Sequence, residues 1–140
     1  MKDMKSSLKF IDYIVEEVEF YNNSNFIAES SEKTKLDFDI DSKTEFIDEN
    51  RFTLSLIVKI FQNAVEKGYP FSMNIKITGV FILDNVDEKT KQVLAEKNSV
   101  AILFPYVRAL VSTYTSASNV HPVILPPINV VKYIENKRRR

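Results

Sequence analysis

Between Lys35 and Leu83 the chain alternates apolar and polar residues in three runs, the signature of half-buried β-strands. In the first, Leu36, Phe38 and Ile40 alternate with Asp37, Asp39 and Asp41, so one face is apolar and the other carries a row of carboxylates. Phe52, Leu54, Leu56, Val58 and Ile60 form the second apolar face, after the turn-tolerant Asp48-Glu49-Asn50. The third holds Phe71, Met73, Ile75, Ile77, Gly79, Phe81 and Leu83, after Lys67-Gly68-Tyr69-Pro70. A turn that sets Glu66 opposite Phe71 pairs Ile60 with Ile77, Leu56 with Phe81 and Leu54 with Leu83, and keeps every apolar residue on one side. Gly79 then faces Val58, and its missing side chain marks a bulge or a bend or makes room for a covering helix. Ile57, Phe61, Val80 and Ile82 fall on the opposite face, with Ile57 meeting Val80. Three uses stay open for that patch: pairing of two sheets, contact with another protein, or ordinary surface apolarity.

The flanks read differently. Phe10, Ile11, Ile14, Val15 and Val18 recur at helical spacing, while Ile14, Val18 and Phe20 also fit a strand, and the pattern alone leans to helix. Asp87 to Lys97 is a polar, helix-compatible connector, and Ser99 is placed to cap a helix that begins near Val100, with Pro105 just past its first turn. From there Val107, Ala109, Leu110, Val111 and Tyr114 leave little polar surface, so this helix is expected to be buried on more than one side, which hints at a partner subunit. Arg108 within it needs a carboxylate or a carbonyl. His121-Pro122 and Pro126-Pro127 bracket an extended link, and Ile128 to Asn136 reads as a short second helix.

Composition narrows the chemistry. At 140 residues, 44% hydrophobic and 27% charged, the chain suits one globular domain, residues 1–140. No run approaches the ~20 apolar residues of a membrane span, and no signal-peptide core is seen, so a cytoplasmic protein without membrane insertion is expected. Cysteine is absent, there is one histidine, and the two glycines permit neither a P-loop nor a dinucleotide fingerprint. An enzyme, a metal or a nucleotide cofactor is therefore not expected. The formal net charge of zero argues against nucleic-acid binding. Lys137-Arg138-Arg139-Arg140 is the single dense basic run, read as a solvated end, with a docking tail as the alternative. The Asp37, Asp39, Asp41 row is spaced about 6.6 to 6.8 Å per step, too far for one ion, and reads as a solvated face or an acidic docking surface.

One stretch carries a family resemblance. Ile102-Leu103-Phe104-Pro105-Tyr106 followed by Arg108, then Leu125-Pro126-Pro127-Ile128-Asn129, which is similar to a Leu-Ala-Pro-Val-Asn segment, resembles the SecB protein-export chaperones. Lys35-Leu36-Asp37-Phe38-Asp39 and Gly79-Val80-Phe81 match in order and spacing. The resemblance implies an α+β fold, a four-stranded antiparallel sheet covered by a long helix and a short C-terminal helix, and it makes the first element a strand followed by a crossover loop from Asn22 to Thr34. It also implies a homo-oligomer, a dimer of dimers, that holds unfolded polypeptide clients without ATP. The family's client groove falls on Leu36, Phe38, Val130 and Ile134, with Phe26 beside them. Docking to the SecA motor falls on Glu17 and Glu19, but Asn74 and Lys76 stand near where a further carboxylate is expected, and the charge balance is not acidic. A chaperone dedicated to one client, such as an antitoxin, and a non-chaperone scaffold of the same fold remain alternatives.

Overall fold

The computed structural model describes residues 7–27 and 35–139. Strands β1 (Ser7–Asn22), β2 (Phe38–Phe46), β3 (Arg51–Ile60) and β4 (Phe71–Asp84) form one antiparallel sheet in the order β1-β4-β3-β2. One face is covered by helix α3 (Ser99–Ala117) and the short helix α4 (Val130–Arg138). This is the α+β architecture expected. Each apolar residue named above for the second and third runs is buried.

The pairing of those two runs differs from the expectation by four residues. Ile60 faces Met73, Leu56 faces Ile77, Leu54 faces Gly79 and Phe52 faces Phe81. A four-residue slip keeps all side chains on their faces, so alternation cannot detect it. The physical cause is the turn. Phe61 and Asn63 adopt left-handed backbone (φ 53 and 59), and Ala64–Lys67 winds into a short helix, α1, closed by Gly68 at φ 72. Residues expected in strand are thereby consumed. The same twist carries Phe61 off the open face and into the core, against Tyr69 and Phe71 at ring-centroid distances of 4.8 and 5.2 Å. Ile57 now meets Lys76, and Val80 meets Thr53.

β1 is a strand, and its helical look has a simple origin. The register shifts around Ile11 and Glu16, so the residues opposite the core positions of β4 are Leu8, Phe10, Tyr13, Val15, Val18 and Phe20. Spacing of two, three, two, three, two imitates a helix. Each irregularity adds one residue and turns the following side chains over.

Gly79 makes room for the covering helix. A Cβ built there would lie 3.0 Å from Phe81, 3.2 Å from Leu103 of α3 and 3.4 Å from Phe10. α3 is approached by a continuous helical run: α2 (Glu88–Val93), capped by Asp87 accepting from the Thr90 amide at 2.7 Å, and then a π-helical turn, Leu94–Asn98. Ser99 is therefore not an N-cap. It is buried inside the run and its hydroxyl donates to the Ala95 carbonyl at 2.6 Å. Pro105 is carried within α3. The helix buries Val100, Leu103, Phe104, Val107 and Val111, while Ala101, Pro105, Ala109, Thr113 and Ser116 are exposed, small and uncharged. Among the described residues no helix is long and apolar enough to cross a membrane.

Candidate functional site

The link between α3 and α4 is pinned at two points. Thr115 at the end of α3 donates to the Val111 carbonyl and accepts from the Val123 amide at 3.0 Å. Arg108 finds the carbonyl it needs, donating from Nε to Leu125 O at 2.9 Å. Asn129 then caps α4, its side chain accepting from the Lys132 amide. These anchors deliver α4 to the free edge of the sheet, along β2.

α4 divides its residues among three directions. Val130 and Ile134, one turn apart, enter the core at 3% and 4% exposure. Tyr133 and Lys137, also one turn apart, face β2. The Tyr133 ring stacks on Phe38 (5.7 Å, 25°), and its hydroxyl lies 3.2 Å from Asp39 Oδ1. Lys137 Nζ reaches Asp39 at 2.7 Å and Asp41 at 3.5 Å, and Arg138 reaches Asp41 at 3.5 Å. On the other side, Glu135 pairs with Lys97 at 3.1 Å.

This arrangement adds partners to two surfaces that the sequence presents as solvated. Lys137 is half-buried against the carboxylate row of β2, and Arg138 and Arg139 are exposed, Arg138 with its guanidinium turned to Asp41; Arg140 lies outside the described residues. The row stays partly solvated and is partnered as well: Asp39 and Asp41 by α4, and Asp37 by the Tyr69 hydroxyl at 2.8 Å and Lys67 at 3.8 Å. The titrations follow. Burial and the Asp39 carboxylate raise Tyr133 above the ordinary tyrosine value. For Lys137 burial works against the charge, but the hydrogen bond and charge of Asp39, with Asp41, outweigh it and raise its pKa. Both groups keep their protons at neutral pH and act as donors.

The five groove candidates are only partly brought together. Leu36 and Phe38 are half-buried and packed against the cluster that contains Val130 and Ile134. Val130 and Ile134 are buried within the chain itself, at 3% and 4% exposure. Phe26 sits apart, half-buried in the turn after β1, its amide bonded to the Asn23 carbonyl. The rest of the crossover loop, residues 28–34, is outside the described residues. On the open sheet face, Glu17 is exposed opposite Lys76, and Glu19 accepts from Tyr21 Oη at 3.1 Å and Asn74 Nδ2 at 3.4 Å. Glu16, displaced by the second irregularity of β1, pairs with Lys76 at 3.3 Å; hydrogen bonds to Thr78 and Lys76 hold its pKa below the usual carboxylate value. The residues that sequence reasoning missed are Tyr133, Lys137 and Arg138. The available signal was complementary charge, an acidic strand and a basic helix end in a chain of zero net charge.

Comparison with known proteins agrees with this architecture. An uncharacterized protein of Methanocaldococcus jannaschii is 41% identical over 137 residues, covering 94% of this chain and 85% of that protein. The protein-export protein SecB of Stenotrophomonas maltophilia is 31% identical over 128 residues, covering 90% and 74%. Among solved structures, the SecB-like chaperone of Mycobacterium tuberculosis, determined with a peptide from an antitoxin, superposes with a TM-score of 0.61 at 13% identity over 86% of this chain and 90% of that one, a likeness of fold. The family model described as preprotein translocase subunit SecB matches residues 4–140. A sheet edged by an acidic β2, a long covering helix and a short helix returned to that edge are thus set in a chain that belongs to the SecB family.

Proposed function

We propose that this protein is a cytoplasmic, ATP-independent chaperone, not an enzyme, that holds unfolded polypeptides along the seam between β2 and α4 and keeps them competent for export. The observation that carries this reading is the seam itself: the half-buried Phe38 at the sheet edge, with Leu36 just before it, the ring of Tyr133 stacked on Phe38, and Val130 and Ile134 in the apolar cluster behind. Phe26, which sits apart in the turn after β1, is a further client contact in this reading. Family membership supports the reading, as does the peptide-bound state of the mycobacterial neighbour. Residues 1–140 act as one domain in it.

Assembly fits the surfaces. The small, uncharged outer face of α3 and the exposed Ile11, Ile14 and Val15 of β1 suit contacts between copies, as a dimer of dimers. Several seams per oligomer then retain one client through effective concentration. Delivery to SecA through Glu17 and Glu19 is the finer part of the proposal. Lys76 opposite Glu17 and Lys59 beside Asn74 dilute the acidity of that face, which favours a second reading, a chaperone dedicated to one client.

Light scattering of a chemically denatured model protein diluted into buffer tests the reading. A few-fold molar excess of this protein, without nucleotide, is expected to suppress most of the scattering. A non-chaperone scaffold would leave the scattering curve unchanged.

A further inference from the structure

The free edge of β2 is occupied by the chain's own side chains. The Phe61 amide donates to the Asp37 carbonyl at 2.9 Å, which fixes the phase of the ladder: odd-numbered carbonyls of β2 face β3 and even-numbered ones face outward. Three successive outward carbonyls accept from α4. Tyr133 Oη lies 3.4 Å from Phe38 O, Lys137 Nζ lies 3.4 Å from Ile40 O, and Arg138 Nη2 lies 2.6 Å from Ser42 O. The geometry permits this because one helical turn from Tyr133 to Lys137 advances about 6 Å, close to the two-residue repeat of a strand. The donors of α4 thus stand where the amides of a fifth strand would stand.

We propose that α4 is a self-inhibitory cover, holding in cis the strand edge that an extended client segment joins once α4 lifts. This deepens the chaperone reading above and rests on it. An uncovered edge strand invites pairing with any chain, so an edge that must receive clients needs a removable cover. The cover is suited to removal. Two of its three edge bonds are long, and its ion pairs are partly solvated, each worth little alone. Lifting uncovers Phe38, Val130 and Ile134 together, so apolar client side chains replace the contacts that α4 gives up. It also frees Asp39 and Asp41, so the segment favoured is one with lysine or arginine on its outward face.

The test uses a fluorescein-labelled, disordered peptide of alternating valine and lysine, and the variant Tyr133→Phe/Lys137→Gln/Arg138→Gln. These changes remove the tyrosine hydroxyl and replace both cationic donors by shorter, neutral amides, while leaving Val130, Ile134 and the stacked rings in place. The variant is expected to bind the peptide about tenfold tighter than the unaltered protein, because a larger fraction of molecules is open. A peptide of the same charge with alternate backbone nitrogens methylated is expected to lose that gain, which separates strand pairing from simple charge. Should the triple variant fold poorly, Arg138→Gln alone, at an exposed position with the shortest bond, is expected to give a smaller gain of the same kind. Equal or weaker peptide binding by the folded variants overturns the cover, and an undiminished gain with the methylated peptide overturns strand addition. Suppression of aggregation by the unaltered protein with no change in the variants would remove the cover alone; no suppression at all would remove the chaperone reading with it.

Discussion

Leu103→Ala is expected to lower the unfolding free energy by about 3 kcal/mol or more, read as a fall in the urea midpoint at unchanged slope. Leu103 is fully buried, and its Cδ1 occupies the space above Gly79 that no side chain on β4 fills. Truncation leaves a cavity there that the rings of Phe81 and Phe10, held by each other at 5.2 Å, are poorly placed to close. The loss of stability acts on function indirectly, because α3 carries the Arg108 and Thr115 anchors that place α4. A loss below about 1 kcal/mol would mean that the helix does not depend on that contact.

Phe38→Ser is expected to abolish protection of an aggregating client while the protein still unfolds cooperatively. Phe38 is half-buried, so the stability cost is about 1 to 2 kcal/mol, from lost apolar area and the lost stack on Tyr133. The functional cost is larger because the ring is the central apolar group of the seam and the first exposed when α4 lifts. Phe38→Leu, which keeps apolar volume, should retain most of the protection. Full protection by folded Phe38→Ser in the scattering assay would contradict the placement of the client at this seam.

Much of the fold was legible because strict alternation in the residues of β3 and β4 has one structural meaning. The pairing was less so: a slip of four preserves every face, and the deciding feature, left-handed backbone at Phe61 and Asn63, falls on residue types that carry no strong warning in the case of phenylalanine. For β1 the pattern leaned to helix, because its two irregularities give mixed two- and three-residue spacing, and the family resemblance decided for the strand. The helix-compatible character of Asp87 to Lys97 was visible, but its continuity with α3 was not, because a serine ahead of an apolar stretch looks like a cap whether or not the helix has already begun. For the site, apolar positions were visible but their accessibility was not. Val130 and Ile134 face inward, and the polar half of the seam depends on contacts between residues nearly one hundred positions apart, such as Lys137 with Asp39.

Hydrogen exchange of the backbone amides, with and without a bound unfolded client, tests the central claim most directly. The outward amides of Phe38 and Ile40 are expected to exchange markedly more slowly in the complex, as a client strand or its packed side chains exclude water from the β2 edge. A client that binds and is protected from aggregation while exchange at Phe38 and Ile40 stays unchanged would contradict the account.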